Sequence, residues 1–193
     1  QIVVQDWLIV GIGDSNGSGE GAPDRPAALG VGGARWQNSQ CHRSANSYQA
    51  LTAKAIERDP RTSVTFVHVA CSGASIVKGV LGRYEGIEPG ALLQPQLTTV
   101  KRLIYGREID VMLVSVGVND LRFGAMAGHC VKHTDCPSVI FPGTNATLAR
   151  IMPRYLDDLV DRFDRLAAAL EGLVDPSRVY LTEYFDSTTN DAK

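Results

Sequence analysis

No apolar run in this 193-residue sequence approaches the roughly 18 residues that a membrane-crossing helix needs, so no membrane span is expected. Blocks of like charge are also missing. The 19 Lys and Arg stand against 21 Asp and Glu, a formal net charge of −2, which points away from nucleic acid and from anionic membrane surfaces as partners. Gln1-Ile2-Val3-Val4 lacks the basic start and long apolar core of a signal peptide, so any export signal is expected to be removed or never present. There is no P-loop Gly-Lys-Ser/Thr. Gly11-Ile12-Gly13 opens like a dinucleotide fingerprint, but Asn16 stands where the third glycine belongs, and no organic cofactor is expected. No repeat, low-complexity tract or interdomain linker divides the chain, which is expected to be one domain over 1–193.

Cysteine is sparse. Cys41, Cys71, Cys130 and Cys136 allow three pairings, of which the simplest joins Cys41 to Cys71 and Cys130 to Cys136. Two disulfides would place the chain in an oxidising, extracytoplasmic compartment. The competing reading is a zinc site built from His129, Cys130, His133 and Cys136. That spacing is not a standard finger pattern, and Cys41 with Cys71 offers a second natural pair. A disulfide-closed surface loop is therefore preferred, and no metal is expected.

The periodicity predicts alternating strands and helices. A first strand is expected from Asp6 to Gly11, followed by a Gly- and Pro-rich loop from Gly17 to Gly33 that can bend around a pocket. Tyr48, Leu51, Ala55 and Ile56 recur at helical spacing within Ser44 to Arg58, and Asp59-Pro60 ends that segment. Val64 to Val69 reads as a second strand, Leu97 to Ile104 as a helix stopped by Gly106, and Val111 to Val116 as a buried strand. Met152, Tyr155, Leu156, Leu159, Phe163, Leu166 and Leu170 mark the inward face of a longer helix, with Pro153 in its first turn or at a kink. Val179 to Glu183 is the fourth expected strand. The expected fold is α/β, a three-layer α/β/α sandwich around a parallel, flavodoxin-like sheet.

Three short islands follow apolar runs: Gly13-Asp14-Ser15-Asn16, Cys71-Ser72-Gly73-Ala74 and Gly117-Val118-Asn119-Asp120. Parallel α/β sheets bind ligands in the crevice beyond their strand ends. Taken singly, a serine in a glycine-rich turn is a turn residue, and Asn-Asp after a strand caps a helix. Jointly they supply what ester cleavage by serine requires, a hydroxyl nucleophile and donors aimed at a developing oxyanion. Ser15 would provide the hydroxyl. Its N–H, the Gly73 N–H and the Asn119 amide would be the donors.

On these residues the chain resembles the SGNH, or GDSL-like, hydrolases, whose four blocks contribute serine, glycine, asparagine and histidine. The resemblance implies that Ser15 is the nucleophile, with Gly73 and Asn119 beside it in the oxyanion hole. The contexts Cys41-His42-Arg43-Ser44 and Ala70-Cys71-Ser72-Gly73 resemble the family's secreted actinobacterial branch, which implies bridged cysteines. The family's last block, Asp-x-x-His, is missing: Ser39, Thr65, Met126 and Cys130 stand three positions before the four histidines. A domain truncated or cleaved at its C-terminus is therefore expected, with the base histidine on a separate fragment. The expected activity is hydrolysis of a small carboxylic ester by a secreted or extracytoplasmic enzyme. The alternatives are a catalytically silent ester- or glycan-binding module on the same fold and, ranked lower, an α/β-hydrolase with Gly13-Asp14-Ser15-Asn16-Gly17 as its Gly-x-Ser-x-Gly elbow.

Overall fold

A computed structural model describes residues 3–29 and 32–184, so Gly30 and Val31 of the glycine-rich loop lie outside the described residues. The strands are β1 (Gln5–Gly13), β2 (Thr62–His68), β3 (Val111–Ser115) and β4 (Val179–Leu181). All neighbours pair in parallel, in the order β2-β1-β3-β4. The helices are α1 (Ser15–Ser18), α2 (Tyr48–Ile56), α3 (Gln96–Leu103), α4 (Phe123–Lys132) and α5 (Leu148–Leu170).

Alternation along the strands sends side chains to two different cores. Leu8, Val10, Ile12, Val67, Met112 and Val114 face one side, where Leu97 and Val100 of α3 and Leu166 and Leu170 of α5 cover them. Ile9 and Leu113 face the other side and meet Ala53 and Ile56 of α2. Helices thus flank both faces, giving the expected three layers. The central strands bury both sides, which explains why β1 and β3 read as nearly continuous apolar runs.

The structure corrects several local expectations. Helix α2 starts at Tyr48 rather than Ser44, because the Ser47 side chain accepts from the Ala50 N–H and caps it there. The segment after Ser15 is not a loop at first: Asp14 caps the single turn of α1, and Gly19 ends it in a left-handed conformation. His129 and Cys130, expected in a disulfide-closed surface loop, lie on a helix, α4. Leu156, expected to face inward, is 48% exposed, because α5 buries its side chains chiefly at its two ends. Strand β4 ends at Leu181 rather than Glu183.

Both disulfides form in the simplest pairing, Cys41 to Cys71 and Cys130 to Cys136. The second one overturns the zinc alternative, because it consumes the two thiols that would have been ligands. The first joins residues 30 apart and fixes the loop after β2 against the segment before α2. The second closes only six residues, between α4 and a short 3-10 turn at Cys136–Ser138. Loop-closure entropy grows with loop length, so the cross-links differ in weight. Replacing Cys41 and Cys71 by serine should cost roughly 3 to 4 kcal/mol, against about 2 kcal/mol for the other pair, as read by urea denaturation. Equal losses would contradict this ordering.

Candidate active site

The three islands meet because the C-terminal ends of β1 and β3 touch. Gly13 pairs with Ser115 and has φ +133°, and a Cβ there would overlap the Ser115 carbonyl. Only glycine fits both the conformation and the contact. The chain then turns, with the Asp14 N–H donating to the Ser115 carbonyl at 2.8 Å and the Asn16 amide donating to Ser115 Oγ at 3.0 Å. Buried Gln96 of α3 clamps Gly13 from the side, accepting from its N–H and donating to its carbonyl, both at 2.8 Å.

The second and third islands are stapled to each other. The Asn119 amide donates to the Ala74 carbonyl at 2.9 Å, and Asp120 accepts from the Ile76 N–H at 2.8 Å. Asp120 is buried and also pairs with Arg162 of α5 at 3.0 Å. The second island joins the first through Cys71 N–H to the Gly13 carbonyl and through the hydroxyls of Ser72 and Ser18, 3.0 Å apart.

Ser15 and Asn119 line one cavity of about 460 Å³, together with Asn16, Glu20, Val118, Phe123 and Tyr184. Gly73 is not part of that lining. It sits one residue before Ala74, with φ +78°, packed against the Tyr84 hydroxyl so closely that a Cβ would displace it. Among the described residues, neither the Ser15 N–H nor the Gly73 N–H donates a hydrogen bond, and Asn119 uses one of its two amide hydrogens. Such unspent donors are what an oxyanion site requires.

The Ser15 hydroxyl, half-buried on the first turn of α1, has no hydrogen-bond partner among the described residues. None of the four histidines lines this cavity. His42 sits between Glu20 and Glu88, 2.9 Å from each; partial burial opposes its charge, but the hydrogen bonds to Glu88 and Glu20 prevail and raise its pKa. His68 donates from Nε2 to the Gly17 carbonyl, and burial pushes its pKa down to about 4. Buried His129 donates to the Cys136 carbonyl and lies against His133 at a tilt of 52°.

Glu20, Phe123 and Tyr184 of the cavity escaped sequence reasoning, and two of them make polar bonds there. Tyr184, just past β4, donates a hydrogen bond to Asp14, the cap of α1, and so pins the end of the fourth strand to the Ser15 turn. Glu20 accepts from Ser72 and joins His42 to the cavity wall. Neither lies in an apolar-to-glycine junction, which was the signal that exposed the other residues.

No protein-family model matches the chain, and no curated protein matches it. Among solved structures, an extracellular lipase from Streptomyces rimosus aligns over 92% of this chain and 58% of its own, with 26% identity and a TM-score of 0.54. This chain resembles the SGNH, or GDSL-like, hydrolases. A phospholipase A1 from Streptomyces albidoflavus NA297 aligns over 93% of this chain and 58% of its own, at 20% identity and a TM-score of 0.49. The chain thus spans less than two thirds of either protein.

Asp14 generates a pH prediction. Burial raises its pKa from 3.8 to about 6, against the opposing hydrogen bonds from Tyr184 and the Asn16 N–H. The folded state therefore holds a proton that the unfolded state releases, and stability should fall as pH rises from 4 through 6. A shift of this size corresponds to a loss of up to about 3 kcal/mol. Asp14→Asn keeps a capping oxygen and should flatten that slope in urea titrations at pH 4 and pH 7. An unchanged slope would show that Asp14 does not carry it.

Proposed function

We propose that this chain carries the nucleophile and oxyanion half of a secreted carboxylic-ester hydrolase. The observation that carries the reading is the convergence of Ser15 and Asn119 on one cavity, with unspent backbone donors at Ser15 and Gly73. The lipase similarity supports the same class of chemistry, and the two disulfides fit an extracytoplasmic setting.

Ser15 Oγ attacks the ester carbonyl as its proton passes to a base. The carbonyl oxygen takes up negative charge in front of the Ser15 N–H, the Gly73 N–H and the free hydrogen of the Asn119 amide. Collapse expels the alcohol, which takes a proton, and leaves an acyl-serine. Water then adds to that acyl group and releases the carboxylic acid and free Ser15. The bond between Asn119 and Ala74 fixes the amide so that it does not reorganise as charge develops.

The base is a histidine from outside this chain, because none of its own four lines the Ser15 cavity. His42 has no free ring nitrogen, and His68 is a neutral group bound to backbone. Without such a base, an oxyanion hole and binding alone leave roughly thousand-fold catalysis over water. The substrate proposed is a small, neutral ester, matched to a cavity with one carboxylate, Glu20, on its rim.

The test is turnover of a p-nitrophenyl ester with and without added imidazole. Slow turnover should be stimulated by imidazole, with an acyl adduct on Ser15 seen by mass spectrometry. Both should vanish in Ser15→Ala, while Asn119→Ala should lower the rate about a hundred- to a thousand-fold. Turnover that survives Ser15→Ala would sink the nucleophile. Ester binding without any adduct, even with imidazole, would favour a silent binding module instead.

A further inference from the structure

A second cavity, of about 310 Å³, lies between the end of β2 and α3 and shares no lining residue with the cavity at Ser15. Two cations line it, Arg43 and Arg102, and no acidic side chain does. Arg43 is half-buried. Its Nε donates to the Ala70 carbonyl at 3.0 Å, and none of the ion pairs among the described residues involves Arg43 or Arg102. Beside Arg43, His68 is kept neutral by burial and by that guanidinium, so it brings no competing charge.

A desolvated guanidinium without a counter-charge is unfavourable, and an anion relieves it. With Nε spent on Ala70, the terminal nitrogens of Arg43 still offer a planar pair of donors that matches a carboxylate. The remaining walls are mixed: Gln94, Gln96 and Thr99 are polar, and Leu92, Leu93 and Leu103 form an apolar stretch together with Val69 and the Cys41–Cys71 disulfide. The leucine stretch favours an anion with a hydrocarbon tail over a fully hydrated ion.

We propose that this cavity binds a small aliphatic carboxylate, with its head group between Arg43 and Arg102 and its chain along Leu92, Leu93 and Leu103. Tyr84 forms the partition between this site and the oxyanion segment. It lines the cavity, donates to the Ser72 carbonyl at 2.9 Å, and its hydroxyl fills the space where a Gly73 side chain would go. The occupant has the chemistry of an ester-hydrolysis product, but its binding does not depend on Ser15 being a nucleophile.

Calorimetric titration with sodium octanoate, sodium acetate and inorganic phosphate tests the proposal. Octanoate should bind saturably at one site, about tenfold or more tighter than acetate or phosphate. Arg43→Gln and Arg102→Gln should each weaken it by about tenfold, the loss expected for a charge-assisted contact. Arg102 is exposed, so its replacement tests the site even where Arg43→Gln fails to fold. Ser15→Ala and Asn119→Ala should leave octanoate affinity unchanged. Phosphate binding as tight as octanoate, octanoate affinity indifferent to Arg102→Gln, or affinity lost with Asn119→Ala would each overturn the proposal. Failure of the hydrolytic reading would instead appear as turnover independent of Ser15, with this titration intact.

Discussion

The close approach of β1 and β3 at Gly13 and Ser115 is the constraint on which the candidate site depends. The two backbones come nearer than any side chain at residue 13 permits, and that proximity lets the Asp14 N–H and the Asn16 amide both reach Ser115. Once Asp14 is fixed, it caps α1, and Ser15 occupies the first position of that turn with its N–H unspent. A parallel sheet sets this up naturally, since neighbouring strands end side by side and their loops leave on the same edge. The Ser15 turn follows from strand packing together with one residue that lacks a Cβ.

Buried polar side chains then bind the backbone at the edge of the sheet. Gln96 returns both backbone bonds of Gly13 from the α3 side, while Gln49 of α2 donates to the carbonyls of Ile12 and Leu113 from the opposite layer. Asp120 does comparable work at the other end of the crevice, joining the backbone at Ile76 to Arg162 of α5. Each of these side chains bridges a strand end or loop to a different layer. Losing one leaves a buried donor or acceptor unpaired, which costs more than the bond itself contributes. The polar web thus transmits the rigidity of the sheet to the loops that carry Ser15, Gly73 and Asn119.

Most of the fold was legible because burial writes itself into the sequence. Strands β1 and β3 read as apolar runs since helices cover both faces, and α3 and α5 show one-sided periodicity. Ser15 and Asn119 were legible for a related reason: apolar runs that stop at Gly13 and Gly117 mark strand ends, and strand ends form the crevice. Helix α4 was hidden, because Gly124 and Gly128 weaken its intrinsic preference and its cysteines and histidines suggested a loop. Leu156 misled because a helix over the rim of the sheet need not bury every apolar position. Tyr184 was invisible for a different reason: its partner Asp14 is 170 residues away, and only the parallel placement of β4 beside β3 brings them together.

The commitments of the four histidines bear on how the work of catalysis is divided. On the proposed reading, stabilising an oxyanion needs donors that do not move, and β1, β3 and their cross-bonds give the loops of Ser15 and Asn119 that rigidity. On that reading a base needs a ring nitrogen facing Ser15, and none of the four histidines lines the Ser15 cavity. His42 ties Glu20 to Glu88 and stacks on Trp36, so it links three loops on the surface. His68 supports the Gly17 carbonyl from β2, immediately behind the nucleophile turn. Releasing either would remove a support of the site it was meant to activate, which makes repurposing one of them a poor route to a base. The cavity at Ser15 instead leaves that hydroxyl without an internal acceptor, and a group arriving from outside meets it without first breaking a bond.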